Sequence, residues 1–86
     1  MSEPPIIALR SRVVGTRSLA RQFVAEHAAE VTPALAVYID CRGVEVITSP
    51  WIEEVLDAWP YATAMGANED VSDTWAMVLT CRGERT

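Results

Sequence analysis

The chain has 86 residues, of which 50% are apolar, and its seven basic and twelve acidic side chains give a formal net charge of −5. All seven basic residues are arginine, which excludes the lysine chemistry of Schiff bases, pyridoxal attachment and phosphate-binding loops. The acidic balance also disfavours nucleic acids and anionic membranes as partners. At this length we expect one domain over residues 1–86, with a flexible start at 1–5 and a flexible tail at 84–86.

The chain is expected to be cytoplasmic and to hold no metal or other cofactor. Its start lacks the basic and apolar regions of a signal peptide, and its longest apolar run, 34–39, is far shorter than the roughly 20 residues of a membrane span. The single histidine, His27, cannot supply a multi-histidine metal site. Two cysteines, Cys41 and Cys81, are too few for a structural zinc site or a disulfide framework, which is typical of a reduced compartment.

The first third of the chain predicts a strand and a helix. Residues 6–9 form a compact apolar run that suits a short strand, and the pair at 13–14 extends this strand or lies beside it. Thr16 is predicted to cap a helix over 17–31, because apolar side chains recur there at helical spacing. Pro33 prevents the helix from continuing.

The middle of the chain predicts a buried strand, a shorter strand and a second helix. Residues 34–39 are apolar without alternation, which is typical of a strand buried on both faces in a parallel sheet, and 43–47 returns to alternation. Ser49 and Pro50 then supply a helix start, with the serine as the cap and the proline at the first helical position. The apolar stripe of this helix consists of Trp51, Ile52, Val55, Leu56 and Trp59.

The last third of the chain predicts a strand and a third helix. Pro60 ends the second helix, and 61–65 is long enough for a short strand. Asn68 is predicted to cap the last helix, and Gly83 to stop it. The apolar face of this helix consists of Val71, Trp75, Val78 and Leu79. The alternation of strands and helices predicts a small α/β domain, in which a mostly parallel sheet packs against about three helices.

The most informative sequence pattern runs from Tyr38 to Leu56. A buried strand ends in an acid, a Gly-Val pair and two apolar positions follow, and a polar residue starts the next helix. This stretch resembles the centre of a STAS domain (sulfate transporter and anti-sigma factor antagonist), and in particular the bacterial STAS-like branch. The residues that fill the motif are Asp40, Gly43, Val44, Ile47, Thr48, Trp51 and Glu54. Upstream, residues 16–21 read Thr-Arg-Ser-Leu-Ala-Arg, which is similar to the Thr-Arg-x-x-Ala-Arg helix start of that branch.

The resemblance implies a binding module. STAS domains dock onto a histidine-kinase-like ATPase that acts as an anti-sigma factor or a related switch kinase. In this chain the docking segment would be the loop and helix at 48–59, and ten acids between positions 22 and 81 favour a basic partner surface. A tryptophan at helical core spacing packs inside by default, and it anchors a partner only where it stays partly exposed. The residues expected to contact the partner are Trp51, Glu53, Glu54 and Asp57.

The resemblance also implies a phosphorylation switch, but its acceptor position is occupied by Pro50. In classical members a serine at the start of the second helix is phosphorylated to end the docking. Ser49 and Thr48 are the neighbouring hydroxyls that remain as acceptors. A phosphate on Ser49 would meet the favourable amino end of a helix, but it would also lie close to Glu53 and Glu54. The commoner role of a serine before proline is to cap the helix.

Other roles stay open on sequence grounds. The loops around Asp40 and Thr48 lie at the sheet edge where α/β proteins place ligand groups, which allows a nucleotide or small-ligand sensor. Alternatively, Asp40 organises its loop together with Gly43, by accepting the backbone donors of the turn. An enzyme is not expected, since Cys41 and His27 belong to different elements and no oxyanion-hole sequence accompanies them. The sequence does not fix the oligomeric state.

Overall fold

The structure is a computed structural model, in which residues 3–84 are described. Within this range the strands are β1 (Ile6–Ala8), β2 (Val13–Val14), β3 (Val37–Asp40), β4 (Val46–Ile47) and β5 (Ala62–Met65). The helices are α1 (Arg17–His27), α2 (Ser49–Ala58) and α3 (Glu69–Glu84), and a 3-10 turn at Ala28–Glu30 follows α1. The flexibility expected at residues 1, 2, 85 and 86 lies outside the described residues.

Three of the strands form a parallel sheet in the order β1-β3-β5, and β2 and β4 form a second parallel pair. In the central strand β3, Tyr38 is level with Ile6 on one side and with Thr63 on the other. The Pro5 carbonyl accepts a hydrogen bond from the Tyr38 backbone N–H at 2.9 Å, so the chain is already anchored at Pro5, inside the start expected to be flexible. The predicted small α/β domain with mostly parallel strands is confirmed.

The helices form one layer with α2 in its middle. Both α1 and α3 pack against α2, and the core lies where this layer meets the sheet. The predicted apolar stripe of α2 is confirmed, since each of its five members is at most 2% exposed. Within α2, only Pro50 and Asp57 are largely exposed, so this helix offers little free surface. Within residues 3–84, no helix combines the length and the apolar content needed to cross a bilayer.

Strand β3 is buried on one face, which corrects the prediction of a strand buried on both. Val37 and Ile39 are 0% exposed, whereas Tyr38 between them is 38% exposed. Right-handed crossovers between parallel strands that advance in one direction place their helices on the same face of the sheet. The crossover helices are α1 and α2, and they pack against each other. Among the described residues, the opposite face of the sheet therefore carries no helix.

The first helix begins as predicted and ends earlier. The Thr16 hydroxyl accepts a hydrogen bond from the Leu19 backbone N–H at 3.1 Å, which confirms the cap. The helix stops at His27 and tightens into the 3-10 turn, so that Val31 is extended, at φ −122° and ψ 131°. Val31 is nevertheless buried, because the extended backbone turns it into the core.

The third helix is also capped as predicted and continues further. The Asn68 side-chain oxygen accepts from the Val71 backbone N–H at 2.8 Å. The helix runs through Gly83 and ends at Glu84, which corrects the predicted stop at Gly83. Leu79 is 44% exposed, although it was placed on the apolar face. Eight residues beyond Val71, it is turned by about 80° around the helix axis and leaves the buried stripe.

Candidate functional site

The carboxylates of α2 are held by arginines from the neighbouring helices. The three ion pairs are Arg17–Glu53 at 3.1 Å, Arg21–Glu54 at 2.7 Å and Arg82–Asp57 at 2.8 Å. The side chains of Glu53 and Glu54 are 21% and 15% exposed, whereas that of Asp57 is 58% exposed. Each acidic residue that was expected to contact a partner is therefore paired with an arginine of the same chain. The predicted acidic docking face is neutralised by these pairs.

Trp51, expected to contact a partner, is a core residue. It is 1% exposed, and its ring lies 5.5 Å from the ring of Phe23, measured between centroids. Trp59 and Trp75 are 2% and 3% exposed. No tryptophan of the chain offers the partly exposed surface that a partner anchor requires. The structure therefore gives Trp51 a packing role and corrects the expectation of a contact role.

A shallow groove runs between α1 and α2, and we call it the α1–α2 groove. Its volume is about 330 Å³, and its lining residues are Arg21, Val24, Ala25, Glu54, Asp57 and Ala58. Val24, Ala25 and Ala58 give it an apolar floor, and the charged side chains form its rim. Two of the four expected contact residues, Glu54 and Asp57, lie here. The groove itself was missed from the sequence, because it exists only where α1 and α2 meet.

Thr48 caps α2, and Ser49 is its first helical residue. The Thr48 backbone is extended, at φ −113° and ψ 154°, and its hydroxyl accepts from the Trp51 backbone N–H at 3.5 Å. The same hydroxyl donates to the Gly15 carbonyl at 2.9 Å. The predicted cap at Ser49 is therefore wrong by one residue, and Pro50 is the second helical residue. Among residues 3–84, the Ser49 hydroxyl makes no hydrogen bond, so it is the better placed of the two candidate phosphate acceptors.

Asp40 organises the turn at the end of β3, which is the role that the sequence offered as an alternative to ligand binding. Its carboxylate accepts from the Arg42 backbone N–H at 3.1 Å. It also accepts from Arg42 Nε at 3.0 Å and from Nη2 at 2.7 Å. These hydrogen bonds, led by the side-chain ones, hold the pKa of Asp40 below its ordinary value, because they favour the charged carboxylate.

Gly66, and not Gly43, is the glycine that this region requires. Gly43 has no neighbour within 4 Å of the position that a Cβ would take, and its φ is not positive. Gly66 adopts φ +65°, and a Cβ there would collide with the Arg42 side chain, whose far end holds Asp40. The expected role of Gly43 in organising the loop thus has no steric basis in the described structure. Gly66 was missed because a positive φ has no separate signal in the sequence.

The polar groups proposed for a nucleotide or small-ligand sensor are engaged within the chain. The Asp40 carboxylate is held by Arg42, and the Thr48 hydroxyl both donates and accepts hydrogen bonds. A second groove, of about 390 Å³, lies beside β1 and α1 and includes Ser11 and Phe23 in its lining. Neither Asp40 nor Thr48 lines this groove. The observed geometry therefore does not favour the sensor alternative.

Cys41 and His27 have separate surroundings. Cys41 is 0% exposed, and burial, with a smaller effect of the Asp40 charge, raises the pKa of its thiol to about 11. At neutral pH such a thiol stays protonated and is a poor nucleophile. His27 contacts Glu30 at 2.7 Å and lies 5.0 Å from the Phe23 ring, measured between centroids. Within residues 3–84, no three His, Cys, Asp or Glu side chains are grouped in a way that would hold a metal ion.

No protein-family model matches the chain, and no curated protein or solved structure matches it either. Support for a function therefore comes from its own residues. Of these, Glu54 and Asp57 lie together with apolar residues at the α1–α2 groove, and Thr48 and Ser49 lie at the start of the same helix. Trp51 lies beneath this surface in the core, and Asp40 and Gly43 belong to the turn after β3.

Proposed function

We propose that the chain is a non-catalytic, STAS-like module of bacterial cytoplasmic signalling that docks a protein partner through the α1–α2 groove. The resemblance suggests a kinase-like ATPase or an anti-sigma factor as that partner. The observation that carries the proposal is the apolar floor of the groove, made by Val24, Ala25 and Ala58 inside a charged rim. An apolar centre with a polar rim is the usual anatomy of a protein interface.

The two sequence patterns behind the resemblance meet at this groove. Arg21 belongs to the helix-start pattern at 16–21, and Glu54 belongs to the motif that follows β3. Their side chains pair at 2.7 Å and close one side of the groove. Because the rim charges are already paired, a partner gains most from filling the apolar floor. We therefore expect the docking to depend less on salt than the net charge of −5 would suggest.

Phosphorylation, in this proposal, occurs at Ser49. Thr48 is a poor acceptor, because a phosphate there would remove the cap of α2 and the hydrogen bond to Gly15. A phosphate on Ser49 would lie at the amino end of the helix, one turn before Glu53, and would compete with it for Arg17. Intact mass after incubation with cell extract and ATP should show one added phosphate, and Ser49→Ala should abolish it.

The docking proposal is tested with a matched pair of arginine substitutions. Ala25 is exposed on the floor of the groove, and Ala76 is exposed on α3 outside its lining. Candidate ATPases and anti-sigma proteins encoded beside the gene are purified and used in pull-downs with and without ATP. We expect Ala25→Arg to lose the partner, because the larger side chain fills the groove, and Ala76→Arg to keep it.

Both variants should retain the circular dichroism spectrum of the wild type, since arginine is a good helix former. Two results would contradict the proposal. One is that no such ATPase or anti-sigma protein binds the wild type under either nucleotide condition. The other is that Ala25→Arg binds as well as Ala76→Arg does.

A further inference from the structure

The face of the sheet opposite the helices exposes apolar side chains, and we call it the open sheet face. One row across it, from β1 through β3 to β5, is Ile6, Tyr38 and Thr63. The next row is Ala8, Asp40 and Met65. Ile6 is 59% exposed, Tyr38 is 38% exposed and Met65 is 37% exposed. Parallel sheets normally have both faces covered, so this face is suited to a partner.

The open sheet face carries no net charge. Its one acid, Asp40, is paired with Arg42 at 2.7 Å, with further hydrogen bonds at 3.0 Å. These two charges cancel, so the net charge of −5 belongs entirely to the rest of the chain. Two copies of the chain repel each other through their charged surfaces, and a neutral apolar face is where they can approach with the least electrostatic cost.

The pattern of side chains on the open sheet face is also self-complementary. A two-fold axis along β3, in the plane between two facing sheets, places β1 of one copy over β5 of the other. The large Ile6 then faces the small Thr63 of the second copy, and the large Met65 faces the small Ala8. Tyr38 and Asp40 lie on the axis, and each faces its own equivalent. Each Asp40 carboxylate is already paired with the Arg42 of its own copy. An interface with two-fold symmetry requires this kind of self-complementary surface.

We propose that the open sheet face binds the same face of a second copy of this chain, with the two-fold axis along β3 and Tyr38 at the centre. The contact is small. Three strands about 4.8 Å apart and four residues of about 3.3 Å each give a face of roughly 14 by 13 Å. A standard interface buries about 800 Å² per partner, several times this area, so the dimer is expected to be weak and to form only at high protein concentration.

The test is sedimentation equilibrium of the full chain between about 10 μM and about 1 mM. We expect a concentration-dependent average mass that rises from one copy towards two. Raising the NaCl concentration from about 50 mM to about 500 mM should tighten the dimer several-fold, because salt screens the repulsion between acidic copies. Contacts that depend on opposite charges would instead weaken with salt.

Substitutions on and off the open sheet face complete the test. Tyr38→Glu places two unpaired carboxylates together on the axis, unlike the Asp40 carboxylates that Arg42 neutralises, and should weaken the dimer at least tenfold. Ile6→Glu is a second variant that should also weaken the dimer. Because Ile6 is 59% exposed, its replacement disturbs the core little. Met77→Glu is the control, because Met77 is 52% exposed on α3, outside the sheet. It should dimerise as the wild type does.

The proposal is overturned if the wild type remains a monomer at about 1 mM in high salt, or if Tyr38→Glu and Ile6→Glu both dimerise normally. A monomer that binds a different protein through Tyr38 would also overturn it, and would assign the open sheet face to that protein. The inference is independent of docking at the α1–α2 groove. Ala25→Arg should leave the dimer intact, and Tyr38→Glu should leave the groove intact, so the two failures are distinguishable.

Discussion

The two faces of the β1-β3-β5 sheet have opposite environments, although they are built from alternate residues of the same strands. Val37 and Ile39 point into the helix layer and are 0% exposed, whereas Tyr38 points away and is 38% exposed. All of these residues are apolar or aromatic, so hydrophobicity alone does not distinguish the two faces. The difference arises because both crossover helices pack on one side of the sheet.

The helix side is also where charge is compensated between distant parts of the chain. Ion pairs join α1 to α2 and α2 to α3, as Arg21–Glu54 and Arg82–Asp57 illustrate. Exposed pairs of this kind contribute only about 0–1 kcal/mol each. Full burial of an apolar side chain contributes about 1.5–3 kcal/mol. The apolar stripe of α2 therefore stabilises the helix layer more than its ion pairs do.

The largest expected effect contrasts the two faces directly. Trp51→Ala removes a side chain that is 1% exposed on the helix side, and it should lower the free energy of unfolding by about 3–5 kcal/mol. Tyr38→Ala removes one that is 38% exposed on the open sheet face, and it should cost about 1 kcal/mol or less in dilute, monomeric protein. Urea denaturation of both variants gives the comparison. Equal losses would mean that the two faces are equally buried.

The next effect concerns the turns that follow β3 and β5, at the carboxyl end of the sheet. Gly66→Ala places a Cβ at φ +65° and against Arg42, and it should destabilise the fold by about 1–2 kcal/mol. Gly43→Ala, the matched control, meets open space and should change stability by less than about 1 kcal/mol, in the stabilising direction. Thermal unfolding of the pair measures this. A larger loss at Gly43 would restore the loop-organising role that the sequence suggested for it.

A third effect concerns the cap at the amino end of α2, which holds this helix in the helix layer. Thr48→Ala removes the cap and the hydrogen bond to Gly15, and it should cost about 1 kcal/mol, with a range of about 0.5–2. Ser49→Ala removes a hydroxyl without a partner among the described residues and should stay within about 0.5 kcal/mol. Chemical denaturation of the two variants ranks them. The reverse order would show that Ser49 is the cap after all.

Local patterns were sufficient to predict the order of the elements and most of the core, but they misplaced the ends of α1 and α3 and the cap of α2. The stripe from Trp51 to Trp59 follows the helical period, and Thr16 and Asn68 act as caps that depend only on residues three positions away. Such features are set by neighbours in sequence, so the sequence alone reveals them. The fold class followed from the same information, because alternating strands and helices leave few arrangements.

The candidate site was harder to predict, since it depends on how helices meet. Arg17 and Glu53 are 36 positions apart, and their pairing exists only once α1 and α2 have docked. The burial of the apolar segment 34–39 could not be predicted for the same reason, since it too depends on how distant elements pack. An apolar strand looks alike whether one face or both faces are covered, and only the side taken by the crossover helices decides it.

The last prediction tests the charge pair that keeps the open sheet face neutral. Asp40 has a pKa below its ordinary value in the folded chain, because Arg42 donates hydrogen bonds to its carboxylate. The pair therefore stabilises the fold above the ordinary carboxyl pKa of about 3.9, and this contribution disappears as the pH falls through the lowered pKa. Wild type and Asp40→Asn should differ in stability at pH 7, and their unfolding curves should converge as the pH falls below the ordinary carboxyl pKa. Arg42→Gln should converge in the same way, and the double variant should lose little more than either single one, because both remove the same interaction. A stability difference that is independent of pH would mean that the Asp40 carboxylate contributes by its shape and not by its charge.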